Sequence, residues 1–263
     1  TLGQYFPGST VAHRLDPRTK ILLVVLYIVA LFCAKGAVGY AVMALVLLTC
    51  ARISKVQFKS LVRGLKPVLF IIIFTAIMNL FFTPGENYIF ELGFLRVSAE
   101  GLRNAFFMVL RIMMLIMGTF LMTYTTSPIS LTDGLERLLN WMKKLHVPVH
   151  ELAMMMSIAL RFIPTLIEET DKIMSAQKAR GADFESGNLI QKAKAMLPIL
   201  VPLFVSAFRR ADELATAMEC RCYHGGEGRT KLHVLKYESR DYIALALGAA
   251  VLALILTLRK FVS

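Results

Sequence analysis

Two stretches forty-one positions apart, Asp171-Lys-Ile-Met-Ser-Ala-Gln-Lys-Ala179-Arg180-Gly181 and Asp212-Glu-Leu-Ala-Thr-Ala-Met-Glu-Cys220-Arg221-Cys222, each end in an arginine between two small residues. The chemistry this offers is binding. A guanidinium is planar, permanently charged and multidentate, and small neighbours leave it unshielded, so it can enter a groove and bond carbonyls or a carboxylate there. A helix C-terminus tolerates such a cation. Taken singly, each arginine reads as a cap on its own helix end, an effect of roughly 0.3–1 kcal/mol. The shared register argues for more, because capping needs only some Lys or Arg in the last turn. Two such pegs suggest two equivalent sockets on a paired soluble partner.

Other reactive residue types lack a workable setting. His146-Val-Pro-Val-His150 has two imidazoles, but Pro148 breaks the helix that would put both on one face, which leaves two solvated histidines in a loop. The four cysteines fall singly at Cys33 and Cys50 and as Cys220-x-Cys222, without zinc-like spacing. Gly225-Gly-Glu-Gly228-Arg-Thr lacks the spacing and lysine of a phosphate-cradling loop and reads as a turn. Asn79 and Arg111 are the polar residues of note inside apolar runs. Arg111 is expected to snorkel to the outer interface, and Asn79 is a candidate for an interhelical hydrogen bond. Neither a buried carboxylate pair nor a His-acid relay is legible. Glu168-Glu169 and Arg209-Arg210 fall at matching repeat positions with opposite sign, which predicts an ion pair between two helices.

The elements that carry the arginines follow from composition. Hydrophobic residues make up 56% of the 263 positions and mean hydropathy is +0.60, which indicates a polytopic membrane protein. The net charge of +12 does not indicate nucleic acid, because the excess sits in short loops: five Lys/Arg and no acid lie in 52–66. That is the pattern of cytoplasmic loops. Asp16 and Pro17 start a helix, and apolar runs then predict spans at about 21–34, 37–51, 67–83 and 102–126, with a last one at 242–258. A turn is expected at 84–87. Five crossings from a cytoplasmic N-terminus put the C-terminus outside and 127–240 in the cytosol. Within that segment a short helix begins at Ser127-Pro128 and two helices of more than 25 residues follow. Their expected apolar stripes are Leu152, Met156, Ala159, Ile163, Ile167, Thr170, Met174, Gln177 and Ala193, Met196, Leu200, Phe204, Ala207, Ala211, Leu214, Met218. Pro164, Pro198 and Pro202 should kink them. Whether they dip into the bilayer is left open. Gly181 suits the left-handed end of the first helix. Cys222 does not suit the second, which is expected to run on toward Gly225-Gly226.

The expected architecture is therefore all-α: spans within 1–126, a cytosolic coupling domain at 127–240 of two long helices plus a shorter one, and a last transmembrane helix in 241–263. Gly3-Gln-Tyr-Phe-Pro-Gly8, His13-Arg-Leu-Asp-Pro-Arg-Thr-Lys20, Thr126-Ser-Pro-x-x-Leu-Thr-Asp-Gly-Leu-Glu136, Ala159-Leu-Arg-Phe-Ile-Pro164, Ala176-Gln-Lys-Ala-Arg-Gly181 and Ala217-Met-Glu-x-Arg-x-Tyr223 together resemble the transmembrane T component of energy-coupling factor (ECF) transporters. These are bacterial and archaeal ABC-type importers for vitamins and transition-metal ions. The resemblance implies a multi-pass protein of the bacterial plasma membrane whose partners are two ATPase subunits, identical or different, and a small substrate-capture membrane subunit. It implies no cofactor in this chain, with ATP and Mg belonging to the ATPases. It also implies that Ala179, Arg180 and Gly181 dock one ATPase and Cys220, Arg221 and Cys222 the other, the two cysteines standing where Ala and Gly are more usual.

Two readings compete. A self-sufficient permease would bind solute between its own spans, with Asn79 and Arg111 as its support. A membrane-embedded lipid enzyme would need a catalytic cluster at the bilayer edge, and none is legible.

Overall fold

The computed structural model describes residues 5–82, 88–92, 95–184, 186, 188–226 and 234–262. The turn expected at 84–87, the start of the Gly3–Gly8 motif and residues 227–230 lie outside them. The chain divides into two compact units, one formed by residues 3–134 with 235–263 and the other by 135–234.

The first unit holds α1 (Val11–Arg14), α2 (Pro17–Cys33), α3 (Gly36–Ser54), α4 (Phe58–Leu65), α5 (Leu69–Phe82), α6 (Ala99–Thr125) and most of α7 (Pro128–Leu139). The second holds α8 (Val149–Ala179) and α9 (Leu189–Glu219), and the chain then returns to the first as α10 (Ser239–Val262). A 3-10 turn at Lys66–Val68 joins α4 to α5 around Pro67. The extended elements among the described residues are β1 (Tyr88–Leu92) and β2 (Leu95–Ser98), an antiparallel hairpin between α5 and α6. The hairpin is a small addition to an all-α chain, and its Tyr-Ile-Phe and Leu-Arg-Val runs have the β-branched and aromatic character that favours strands.

Asp16 caps α2 by accepting from the Arg18 N–H, with Pro17 in the first turn. Such a cap contributes about 1 kcal/mol. Helices α2, α3, α6 and α10 bury Leu31, Tyr40, Met43, Leu47, Met114 and Ile255 among them. Large apolar side chains elsewhere, Phe70, Phe106 and Leu247 among them, are exposed, as lipid-facing residues of a membrane bundle are. Among the described residues, six helices are long and apolar enough to cross a membrane: Gly36–Ile53, Phe58–Phe81, Ala99–Thr125, Val149–Ala179, Ile190–Glu219 and Ser239–Lys260. The list includes α8 and α9, which the sequence placed largely outside the bilayer, and α2 misses it at 17 residues.

Hydrogen bonds fix the direction of each pass in the first unit. Asp241 accepts from the backbone N–H of Asp16 and of Glu238, both at 2.9 Å, tying the starts of α2 and α10 together. Lys20 Nζ donates to the carbonyl of Thr125 at 2.8 Å, and Tyr124 Oη donates to that of Ser60 at 3.2 Å, so the end of α6 and the start of α4 share that end. Phe6 N–H donates to the Tyr124 carbonyl, and His13 bonds both Thr10 and the Phe6 carbonyl. The N-terminal motif residues thus strap one end of the bundle. With α2 and α3 joined by a turn at the other end, α2, α5 and α10 run one way and α3 and α6 the other.

Candidate docking site on the second unit

Helix α8 starts directly after Pro148 and is continuous through Pro164. Helix α9 opens on a capping box in which Asn188 and Gln191 each bond the other's backbone N–H, and it runs through Pro198 and Pro202. At 31 residues each, both are about 46 Å long.

Their C-terminal ends are the same structure. At the end of α8 the N–H of Gly181 donates to Lys178 O and that of Ala182 to Gln177 O, both at 3.0 Å. At the end of α9 the N–H of Cys222 donates to Glu219 O at 2.8 Å and that of Tyr223 to Met218 O at 3.1 Å. This is the Schellman pair of bonds, which satisfies the last carbonyls of a helix. Gly181 has φ +88° and Cys222 φ +55°, so both occupy the left-handed region. The expectation that α9 would run on toward Gly225-Gly226 is therefore corrected. A left-handed non-glycine costs roughly 1–2 kcal/mol, and at the exposed Cys222 the two carbonyl bonds offset it. A Cβ at Gly181 would meet nothing within 4 Å, so backbone angle, not space, is what glycine relieves there. Gly226 answers to space instead: its Cβ would lie 2.2 Å from Cδ2 of His150.

Ala179, Arg180, Gly181, Cys220, Arg221 and Cys222 are all exposed. Neither arginine makes an ion pair with a described residue. Each stands at the residue preceding the left-handed one, so the two guanidiniums leave their helices from matching positions.

The two helices touch at a third pair of matched positions. Arg210 Nη2 lies 3.0 Å from Glu169 Oε2, and Ser206 Oγ donates to Oε1 of the same carboxylate. Nearby, Ile158, Phe162 and Leu166 of α8 line one groove with Ala207, Ala211, Leu214 and Met218 of α9. The α8 residues of the groove precede Glu169 and most of its α9 residues follow Arg210, so the helices cross antiparallel. Glu169 precedes Arg180 by eleven residues, and Arg210 precedes Arg221 by eleven (180 − 169 and 221 − 210). Each arginine therefore stands about 16 Å along its helix from the crossing.

Several expected placements are changed. On α8 the residues facing α9 are Ile158, Phe162 and Leu166, one position from the expected stripe, whose Leu152, Met156 and Ile167 are exposed. On α9 the lower half of the stripe, Ala207 to Met218, does face the groove, while Met196, Leu200 and Phe204 are exposed. The reason is contrast: charges at 209, 212 and 213 mark the outside of the lower half, whereas 195–208 has none. His150 is not solvated in a loop; it lies in the first turn of α8, and its Nδ1 is 3.0 Å from Oε1 of Glu136 in α7. Among the described residues no cluster of His, Cys, Asp or Glu could hold a metal ion.

In the first unit, Arg111 does not reach away from the fold. Its Nε donates to Tyr40 Oη at 2.8 Å, and its guanidinium carbon lies 5.6 Å and 5.7 Å from the Phe32 and Tyr40 ring centres. Asn79 Nδ2 donates to the Thr75 carbonyl one turn back in its own helix, not across to another. The residues that sequence reasoning missed are Ser206, which completes the crossing, and Asp241, which secures α10 to α2. Only long-range pairing reveals either one.

Comparison with known proteins agrees with these features. Residues 8–232 match the family model CbiQ, described as cobalt transport protein. An energy-coupling factor transporter transmembrane protein EcfT of Clostridium kluyveri is 57% identical over 261 residues, 99% of this chain and 96% of that protein. Proteins of the same description are 49% identical in Bacillus subtilis, over 98% of this chain and 97% of that one, and 46% identical in Lactococcus lactis, over 100% and 98%. With a family model covering residues 8–232 and relatives this similar along nearly its whole length, the chain belongs to the EcfT family of energy-coupling factor transporter transmembrane proteins.

Proposed function

We propose that this chain, as the transmembrane energy-coupling component of an ECF transporter, grips two cytosolic ATPase subunits with the ends of α8 and α9 and passes their motion to a substrate-capture membrane subunit. The carrying observation is the pair of Schellman-ended helices, each presenting an exposed arginine eleven residues beyond the Glu169–Arg210 crossing. A partner made of two like subunits needs two like contacts, and equal arms about a common crossing supply them. Approach of the ATPases on binding ATP would turn the helices about that crossing. ATP, Mg and hydrolysis belong to the ATPases. The vitamin or related micronutrient is chosen by the capture subunit.

The shared end of α2, α4, α6 and α10 faces the cytosol in this reading. The cations of 52–66 gather there, in accord with the positive-inside tendency. The N-terminus is then cytoplasmic and α10 leaves the C-terminus outside. Co-purification from membranes tests the docking. Wild-type chain should carry two ATPase subunits, and Arg180→Ala/Arg221→Ala should lose both while still inserting. Retention of the ATPases by that variant would overturn the reading.

A further inference from the structure

Helix α4 carries a feature that neither the fold nor ATPase docking uses. It lies at the strapped end of the first unit and divides into three faces. Leu61 and Leu65 are buried, Leu61 packing with Ala51 and Tyr124. Phe58 and Val62 are 53% and 42% exposed and lie on one side of that buried face. Lys59, Arg63 and Lys66, spaced four and three residues apart, form an exposed stripe next to them. Lys55, at the left-handed end of α3, and Arg52 extend the charge. None of these five cations makes an ion pair with a described residue, and no acid lies within 52–66. Like charges three and four residues apart on one helix face repel, so the stripe is uncompensated within the fold. Apolar residues beside an uncompensated cationic stripe, on a short helix leading into the span α5, are the signature of a helix lying in a bilayer interface. The Ser60 carbonyl, bonded by Tyr124, and Gly64, whose Cβ would lie 2.4 Å from the Phe120 ring, hold the helix close against α6. Its cations therefore stand at a fixed place on the bundle.

We propose that Lys59, Arg63 and Lys66 form a binding ledge for the phosphate-bearing headgroups of anionic phospholipids, with Phe58 and Val62 seated among the upper acyl carbons. The occupant is lipid because the apolar and cationic sectors adjoin each other and run directly into a transmembrane segment, a pairing that matches a phospholipid's own order of tail and headgroup. The proposal is independent of ATPase docking.

The test uses the whole transporter complex in detergent, titrated with phosphatidylglycerol or phosphatidylcholine, with bound lipid counted by native mass spectrometry. Wild type should prefer phosphatidylglycerol, and the preference should weaken with salt. At roughly fivefold per cation near an anionic surface, Lys59→Gln/Arg63→Gln/Lys66→Gln should lower the preference on the order of a hundredfold. ATPase retention in the same sample shows that the variant is folded. Lys59→Arg/Lys66→Arg should keep the preference, and so should Arg259→Gln/Lys260→Gln at the far end of α10. An unchanged preference in the triple variant overturns the proposal. So does loss of a protein subunit from it with lipid binding intact, which would make the stripe a protein contact.

Discussion

The ends of α8 and α9 are the same hydrogen-bonded device built from different residues. One has Ala179 and Gly181 around its arginine, the other Cys220 and Cys222, yet both close with the same two carbonyl bonds and a left-handed residue after the arginine. What the ends share is therefore backbone geometry and the guanidinium, and what they differ in is how cheaply the geometry is reached. Gly181 enters it without steric cost, while Cys222 is held there against a preference of roughly 1–2 kcal/mol. The geometry persists despite that cost, so both arginines leave their helices from the same position.

The largest effects should come from the arginines. If the ends are equivalent in use, Arg180→Ala and Arg221→Ala should each weaken ATPase retention to a similar degree, and the double change should abolish it. A single variant that behaves like the double one, with the other near wild type, would show that one end dominates and the equivalence is only structural. Quantitative co-purification, or pull-down with purified ATPase, separates these outcomes.

The next test breaks the matched arms without touching either end. One alanine inserted after Lys172 lengthens the α8 arm by about 1.5 Å and turns Arg180 by about 100° around its helix. Residue 172 lies between the crossing and the tip and is exposed, so folding should survive. Uptake should fall sharply, while the α9 end keeps its grip on one ATPase. Two compensating insertions, one in each arm, should recover more uptake than either alone if register between the tips is what counts.

How much of this was legible in the sequence depended on local contrast. The arginine repeat, the Asp16-Pro17 helix start, the Ser127-Pro128 start and the Glu169–Arg210 pairing all rest on short-range pattern or on the repeat itself, and each is present in the structure. The inner faces of α8 and upper α9 were not readable, because periodicity needs polar residues on the opposite side and those faces are apolar too. An apolar outer face on a helix this long is what lipid or a membrane partner requires. The strap that holds Asp16 to Asp241 joins residues 225 positions apart, which no spacing rule can see. Cys222 was misjudged because propensity alone ranked glycine first, whereas the bonds at Glu219 and Met218 decide the angle.

The crossing itself should contribute little to stability and more to motion. The Glu169–Arg210 pair is partly open to solvent, at 22% and 34% side-chain exposure, and pairs of that kind contribute about 0–1 kcal/mol. Glu169→Gln keeps the shape and a hydrogen bond to Ser206, so thermal unfolding in detergent should shift only slightly. Uptake per ATP hydrolysed should drop more than stability does, since the helices would no longer be held at one common point. A large stability loss with unchanged coupling would make the pair a structural brace instead.

The smallest effect sharpens the comparison most directly, because it changes only the cost of the shared geometry. Gly181→Ala places a Cβ at φ +88°, where space is open but the angle is strained, so the end of α8 should lose about 1 kcal/mol or more. Cys222→Gly removes the corresponding strain at φ +55°, and the added freedom of the unfolded chain takes back about 0.5–1 kcal/mol of the gain. The expected pair of results is a measurable loss at one end and a change near zero, or slightly favourable, at the other. Amide exchange at Gly181, Ala182, Cys222 and Tyr223, whose N–H groups make the closing bonds, reads each end separately. If exchange at 222 and 223 quickens in Cys222→Gly, the cysteine holds its end by a contact of its own, and the two devices are less alike than their backbones.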